Sequence, residues 1–490
     1  MRRLSRFLPL LAALALLSVG CYPHNTALLK IDKQAGYRYS VVRNTPSSEQ
    51  PFVILGFSGG GTRAAAFAFG LMEGLRGVEY TARDGSKRKL LDDVEIISSV
   101  SGGSFASSYY ALFPDSYFED FPHRFLYPNI EGGLIVRAFN PYNWIRFISP
   151  SFSRIDMADE YYNQAIFRGK TFADLIATPR GKVPFLVLNA TDISIAHRFE
   201  FTQDQFDLLC SDLSGMTVSR AVAASSNFPL AFAPLTVDIH HKKYCEPLPE
   251  WVNNALGEYT YPYRRYYDAR AAASYHDPDR NYVHLLDGGI SDNLGLRGPY
   301  QAVTTNDTGW SVLTLINKLS IQRVIMISTN AKTTKHRDWD KSKSPPGPLS
   351  VLNMVATSPM DDVTLDSVEM TADYVHDMEQ LSDTVDTCDK KLGESCPQAS
   401  PLPNPIVTRY DFVELSFDQM PDERLRRCLE GLPTNFHLPR ETVDLLRSSA
   451  IRLLMTSGPF LRAMHEIDPT WTPKEAPIDQ NLILAVCGPG

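Results

Sequence analysis

Three short runs carry residues equipped for acyl transfer, and the first holds a nucleophile. In Ser99-Val100-Ser101-Gly102-Gly103 the middle serine closes an apolar strand-like run and opens a helix-like one. A serine at so sharp a turn has its hydroxyl held out at the carboxyl edge of a sheet, the geometry of a nucleophile elbow. Residues two before and two after must be small to avoid collision; Gly103 meets that demand and Ser99 meets it approximately. Taken alone, the run equally suits an ordinary Ser/Gly turn. The second run is Gly59-Gly60-Gly61-Thr62-Arg63. Backbone N–H groups at such a helix start face negative charge, and as an oxyanion hole they stabilise a tetrahedral intermediate by about 3 kcal/mol. The same glycines fit a tight turn, and Gly59-x-Gly61-x-x-Ala64 with Asp84 downstream fits a dinucleotide fingerprint. No strand pattern leads into Asp84, and no Gly-Lys-Ser/Thr follows to make a P-loop. The third run, Asp287-Gly288-Gly289, ends another apolar stretch. A carboxylate there is placed to take the Ser101 proton as general base and return it as general acid, although Asp-Gly-Gly by itself also reads as a turn.

The elements that must position these runs alternate between strand and helix. Phe52–Phe57 is a continuous apolar run, as a strand buried on both faces of a parallel sheet requires, and Val94–Val100 is a second. Each passes through glycines into an Ala-rich or aromatic stretch, 62–75 and 105–113, that suits a helix. Further strands are expected at 185–189, 282–286 and 321–327, and helices at 216–226 and 443–456. This alternation predicts an α/β fold, three-layered, with a mostly parallel central sheet, helices on both faces, insertions and a helical C-terminal region from about residue 422. Segments 331–348 and 380–405 are polar and read as loops. Residues 109–167 are crowded with aromatics, which suit an acyl groove, a bilayer-dipping surface with Arg137 and Arg146 at headgroup level, or the core of an inserted subdomain.

Charge and cysteines narrow the setting. Lys plus Arg total 48 against 56 Asp plus Glu, a formal charge of −8, so no basic excess exists to neutralise a nucleic-acid backbone. Arg2, Arg3 and Arg6 precede an uncharged apolar run, 7–19, too short to span a bilayer comfortably. Residues 1–20 therefore read as a signal peptide. The end, Leu17-Ser18-Val19-Gly20-Cys21, resembles a bacterial lipoprotein signal, which implies acylation of Cys21 and a membrane anchor; Tyr22 after it points to the outer membrane. Plain secretion with Cys21 as a disulfide partner is the alternative. Residues 21–50 read as a tether. The other six of the seven cysteines allow 15 pairings. Cys388 and Cys396, bracketing a polar stretch, are the expected local pair. No spacing suggests zinc and no loop concentrates carboxylates for calcium, so neither metal nor cofactor is expected.

Together the three runs resemble the patatin-like phospholipase family. The glycine loop Gly59-Gly60-Gly61-Thr62-Arg63 is similar to its oxyanion motif, Ser99-Val100-Ser101-Gly102-Gly103 to its elbow and Asp287-Gly288-Gly289 to its acidic motif. A fourth match is Ala223-Ala224-Ser225-Ser226-Asn227-Phe228-Pro229 with Phe232 and Pro234, in the same order along the chain. The resemblance implies a Ser101–Asp287 dyad, an oxyanion hole at Gly59, Gly60 and Gly61, supporting roles for Arg63, Gly103 and Gly288, and hydrolysis of phospholipid or other lipid esters. Arg63 would face a lipid phosphate or fix the loop through carboxylate pairs. The catalytic unit is expected over 51–330, with 331–490 completing the sheet and adding helices. Two alternatives stay open: a Ser-His-Asp esterase using His437 or His465, and a non-catalytic lipoprotein scaffold.

Overall fold

The computed structural model describes residues 25–42, 46–149, 152–179, 181–228, 232–240, 247–259, 263–333, 338–341, 343, 345–396 and 408–489. Cys21 and the signal-like run lie outside them. An eight-stranded sheet forms from Phe52–Phe57 (β1), Val94–Val100 (β2), Phe185–Asp192 (β3), His197–Glu200 (β4), Leu235–Asp238 (β5), Tyr282–Asp287 (β6), Arg323–Asn330 (β7) and Arg409–Ser416 (β8). The order is β8-β7-β1-β2-β3-β6-β5, with β4 also paired to β3. From β8 to β3 every pairing is parallel, whereas β4, β5 and β6 join antiparallel. All residues of β1, β2 and β3 are buried, so both faces of the sheet are covered, which is why these strands read as unbroken apolar runs.

The register explains how the chemistry is assembled. Val100, the last residue of β2, lies opposite Asn189 of β3, and Asp287, the last of β6, lies opposite Ala190. The other edge of β3 from Asn189 onward belongs to β4. β2 and β6 therefore share one edge of β3 and meet end to end, carboxyl end against carboxyl end. Ser101 and Asp287 are brought together by adjacent rungs of a single strand.

The helices that matter here are Gly61–Gly77 (α1), Gly102–Leu112 (α2), Ile130–Ala138 (α3), Pro141–Arg146 (α4), Arg154–Tyr162 (α5), Val218–Ser225 (α6), Gly289–Asp292 (α7), Pro348–Ser395 (α8), Glu423–Glu430 (α9), Arg440–Thr456 (α10) and Gln480–Cys487 (α11). α10 packs on α1 so closely that a Cβ on Gly70 would lie 2.4 Å from the Arg447 carbonyl oxygen. The aromatic stretch divides. Tyr117, Phe121 and Phe125 are fully buried and stack on one another, while Phe139, Tyr142 and Trp144 on and around α3 and α4 are exposed.

Three expectations are corrected. Residues 25–42 of the supposed tether are docked: Thr26–Ala27 pairs with 211–212, the Tyr37 hydroxyl accepts the Leu186 N–H at 2.8 Å, and buried Arg38 bonds Asp204 and Asp207 at 2.6 and 2.7 Å. Residues 380–395 are not a loop but the end of α8, where Arg409 of β8 reaches back to Asp383 and Asp386 at 2.7 and 2.8 Å. That helix also forbids the Cys388–Cys396 bridge. Eight residues along a helix rise about 12 Å, against the roughly 7 Å limit between the Cα atoms of a disulfide, and both cysteines are free and exposed. Cys428 and Cys487 are bonded instead, Cα atoms 5.5 Å apart, tying α9 to α11, and Cys210 is also disulfide-bonded.

Candidate active site

The chain leaves β2 at Val100 and must reverse within one residue to enter α2. Ser101 absorbs the reversal with φ 50° and ψ −119°, a left-handed conformation that costs a side-chain-bearing residue roughly 1–3 kcal/mol. The neighbours make that turn sterically open. A Cβ on Gly102 would lie 2.0 Å from the Gly61 carbonyl oxygen, and one on Gly103 2.7 Å from the Phe57 Cβ. Ser99, standing where a glycine is usual, is accommodated because its buried hydroxyl meets that of Ser107 on α2 at 2.7 Å.

The glycine loop is held by its own commitments. The Gly59 amide donates to the Asn293 carbonyl at 3.0 Å, that of Thr62 to the Asn435 carbonyl at 2.9 Å, and that of Gly103 to the Ser58 carbonyl at 3.2 Å. Among the described residues this leaves the Gly60, Gly61 and Gly102 amides at the two helix starts as donors for an incoming oxyanion. Gly59 thus differs from expectation: its amide is occupied, and its missing side chain instead lets the Ser101 Cβ approach, since a Cβ there would lie 3.3 Å from it. Gly60 and Gly61 take φ of 138° and 61°, which only glycine adopts at little cost. Among the described residues Arg63 pairs with no carboxylate. Its buried guanidinium donates to the carbonyls of Ala331 at 2.9 Å and Leu432 at 2.8 Å, and burial pulls its pKa down to about 10.

Asp287 is buried at the end of β6. Its Oδ1 accepts the Gly289 amide at 2.8 Å, and the Ser101 side chain stands close enough to favour the ionised form. Burial dominates over these two bonds and pushes its pKa up to about 6. Gly288 cannot carry a side chain, because a Cβ would lie 2.3 Å from the Asn189 carbonyl oxygen.

One positioning device escaped the sequence reading of individual roles. The Ser225 hydroxyl, at the end of α6, accepts the Ser101 amide at 3.0 Å and meets the Ser104 hydroxyl at 2.9 Å. Its carbonyl accepts the Gly288 amide at 3.2 Å, and the Asn227 carbonyl accepts the Asp287 amide at 2.9 Å. The end of α6 therefore clamps nucleophile and carboxyl together, which gives a physical meaning to the Ser225-Ser226-Asn227 signal. Neither histidine considered for a triad takes part. His437 and His465 are exposed, and His465 lies against Trp471, whereas the Asp287 carboxyl is buried and accepts the Gly289 amide.

A mostly parallel sheet flanked by helices, with a serine turn and a buried carboxyl at its carboxyl edge, sets the molecule among α/β proteins. Residues 55–300 match the family model described as patatin-like phospholipase, and the chain belongs to that family. Among solved structures it is similar to human GIVD cytosolic phospholipase A2, at 13% identity over 63% of this chain and 52% of that one, with a TM-score of 0.36. A second similarity is to VipD from Legionella pneumophila, at 10% identity over 89% of this chain and 73% of that one, with a TM-score of 0.25. The chain thus spans about half, 52%, of the length of the human phospholipase. No curated protein matches it significantly.

Proposed function

We propose that the protein is a serine lipid acyl hydrolase of phospholipase A or lysophospholipase type, working through the pair Ser101 and Asp287. Asp287 takes the proton as the Ser101 Oγ attacks the acyl carbonyl carbon, giving a tetrahedral intermediate whose oxyanion faces the Gly60, Gly61 and Gly102 amides. Collapse breaks the ester C–O bond, and Asp287 returns the proton to the leaving alcohol. Water, deprotonated by Asp287, then attacks the acyl carbon, the bond to Ser101 Oγ breaks as Asp287 returns the proton to that oxygen, and the fatty acid leaves. Acylation of Cys21 would hold the enzyme at the bacterial outer membrane, next to its substrate. No step calls for a metal or cofactor.

The observation that carries this reading is the register of β3, which sets Ser101 beside the end of β6 and a buried Asp287 carboxyl whose pKa burial raises to about 6, near the optimum for a base working close to neutrality. The test is active-site labelling with a serine-reactive lipid fluorophosphonate and mapping of the modified peptide. The label is expected on Ser101, and Ser101→Ala is expected to lose both labelling and fatty-acid release. Full activity in that variant would refute the proposal.

A further inference from the structure

Seven of the seventeen exposed large hydrophobic residues found among the described residues fall within residues 135–148, on α3, α4 and their flanks. Val136, Phe139 and Ile148 are 71%, 71% and 82% exposed, so they stand out from the surface rather than line a groove. Ordinary amphipathic helices roll such residues inward. Here the polar groups are spent within the segment itself. The Asn140 side chain accepts the Tyr142 amide at 3.0 Å, the Asn143 side chain donates to the Arg137 carbonyl at 2.9 Å, and the Trp144 indole N–H donates to the Ala138 carbonyl at 2.8 Å. Gly133 seats α3 on α5, since a Cβ there would lie 2.2 Å from the Tyr161 hydroxyl. The apolar side chains are thus held outward by a satisfied scaffold.

Charge selects the occupant. Residues 135–148 contain Arg137 and Arg146 and no acidic residue, in a chain of formal charge −8. Arg137 packs over the Tyr161 ring at 4.1 Å, and Arg146 over Phe152 at 3.5 Å while bonded to Glu160 at 2.8 Å, so both cations sit at the rim of the apolar tip. Protruding aliphatic and aromatic residues rimmed by arginine suit the boundary between acyl chains and anionic headgroups. The patch is also coupled to the site. The Glu131 amide donates to the Phe436 carbonyl at 3.3 Å, and the neighbouring Asn435 carbonyl holds the Thr62 amide of the glycine loop at 2.9 Å.

From these observations we infer that α3 and α4 form a lipid-surface docking face that inserts into the headgroup boundary and sets the glycine loop against the bilayer. The inference rests on the lipid-hydrolase reading for its purpose but not for its test. The full chain carrying Ser101→Ala is bound to phosphatidylcholine vesicles, with and without phosphatidylglycerol, that contain brominated acyl chains. Trp144 emission is isolated by difference from a Trp144→Phe chain, so an acyl anchor elsewhere does not affect the readout. Quenching of Trp144, stronger with the anionic lipid, is expected. An unquenched Trp144 overturns the inference whether or not the protein hydrolyses lipid. In the active chain, Phe139→Ser/Ile145→Ser/Ile148→Ser is expected to lose roughly tenfold or more of its rate on vesicles. Its rate on a soluble short-chain ester should stay within about twofold, because these side chains are exposed rather than packed. Equal rates on vesicles, or a dimer that the triple variant dissolves while Trp144 stays unquenched, would assign the face to something other than lipid.

Discussion

Two reversals of the chain, from β1 into α1 and from β2 into α2, lie side by side at the carboxyl edge of the sheet and are solved in opposite ways. The first spends glycines on its positive φ angles and leaves the Gly60 and Gly61 amides without a backbone acceptor; the second places the strain on Ser101 itself. The two are locked together where Gly102 rests on the Gly61 carbonyl. What differs is the product: one turn offers only amides to charge, and the other adds to its Gly102 amide a hydroxyl under strain. A reactive group in a costly conformation persists only where its surroundings over-determine it, and Ser225, Gly102 and Gly103 do so here.

This contrast can be broken at several points. Asp287→Asn keeps the shape of the carboxyl but removes the base, and is expected to lower kcat by at least about a thousandfold. In the unsubstituted chain the pH profile follows the same group. Because the folded-state pKa is raised to about 6, activity should rise with pH through that value, while the contribution of Asp287 to stability falls from the ordinary carboxylate range up to it. Asp287→Asn should remove that fall and melt higher than the parent at pH above about 6. Gly102→Ala drives a methyl group into the Gly61 carbonyl and should cost about 3 kcal/mol, read as a lowered melting temperature with lost labelling of Ser101. Ser101→Gly removes the nucleophile but relieves its backbone, so an inactive protein about 1 kcal/mol more stable is expected from chemical denaturation. Gly77→Ala at the far end of α1, where nothing lies within 4 Å of the added carbon, should raise stability by about 0.5–1 kcal/mol with activity unchanged. A loss there equal to that at Gly102 would erase the distinction between the functional and the ordinary end of the helix.

The chain announces the second turn and the strands plainly, since β1 and β2 are apolar without interruption and stop at small residues. The same logic made the carboxyl legible at the end of β6, and the order of the motifs identified the family. The braces were silent. The carbonyls of Ala331, Leu432 and Asn435 hold Arg63 and Thr62, and a backbone oxygen is the same for every residue type, so no letter of the sequence marks it. In the edge strand β8 the alternation of a half-buried strand runs only over Arg409–Phe412 before Val413 breaks it, and the last turns of α8 are polar on most sides, so neither shows a sustained apolar period. Gly59 shows the same limit: a glycine signals an amide that can be approached, not which acceptor has already claimed it.

The guanidinium of Arg63 carries a lesson about portability. Its two anchoring oxygens come from residues 331 and 432, beyond the stretch 55–300 that holds every recognisable signature. Excising that stretch would retain every letter a pattern search looks for and strand an interior cation without its acceptors. The remainder of the polypeptide is therefore not an appendix to the chemistry but half of the mould in which the anion-binding turn is cast.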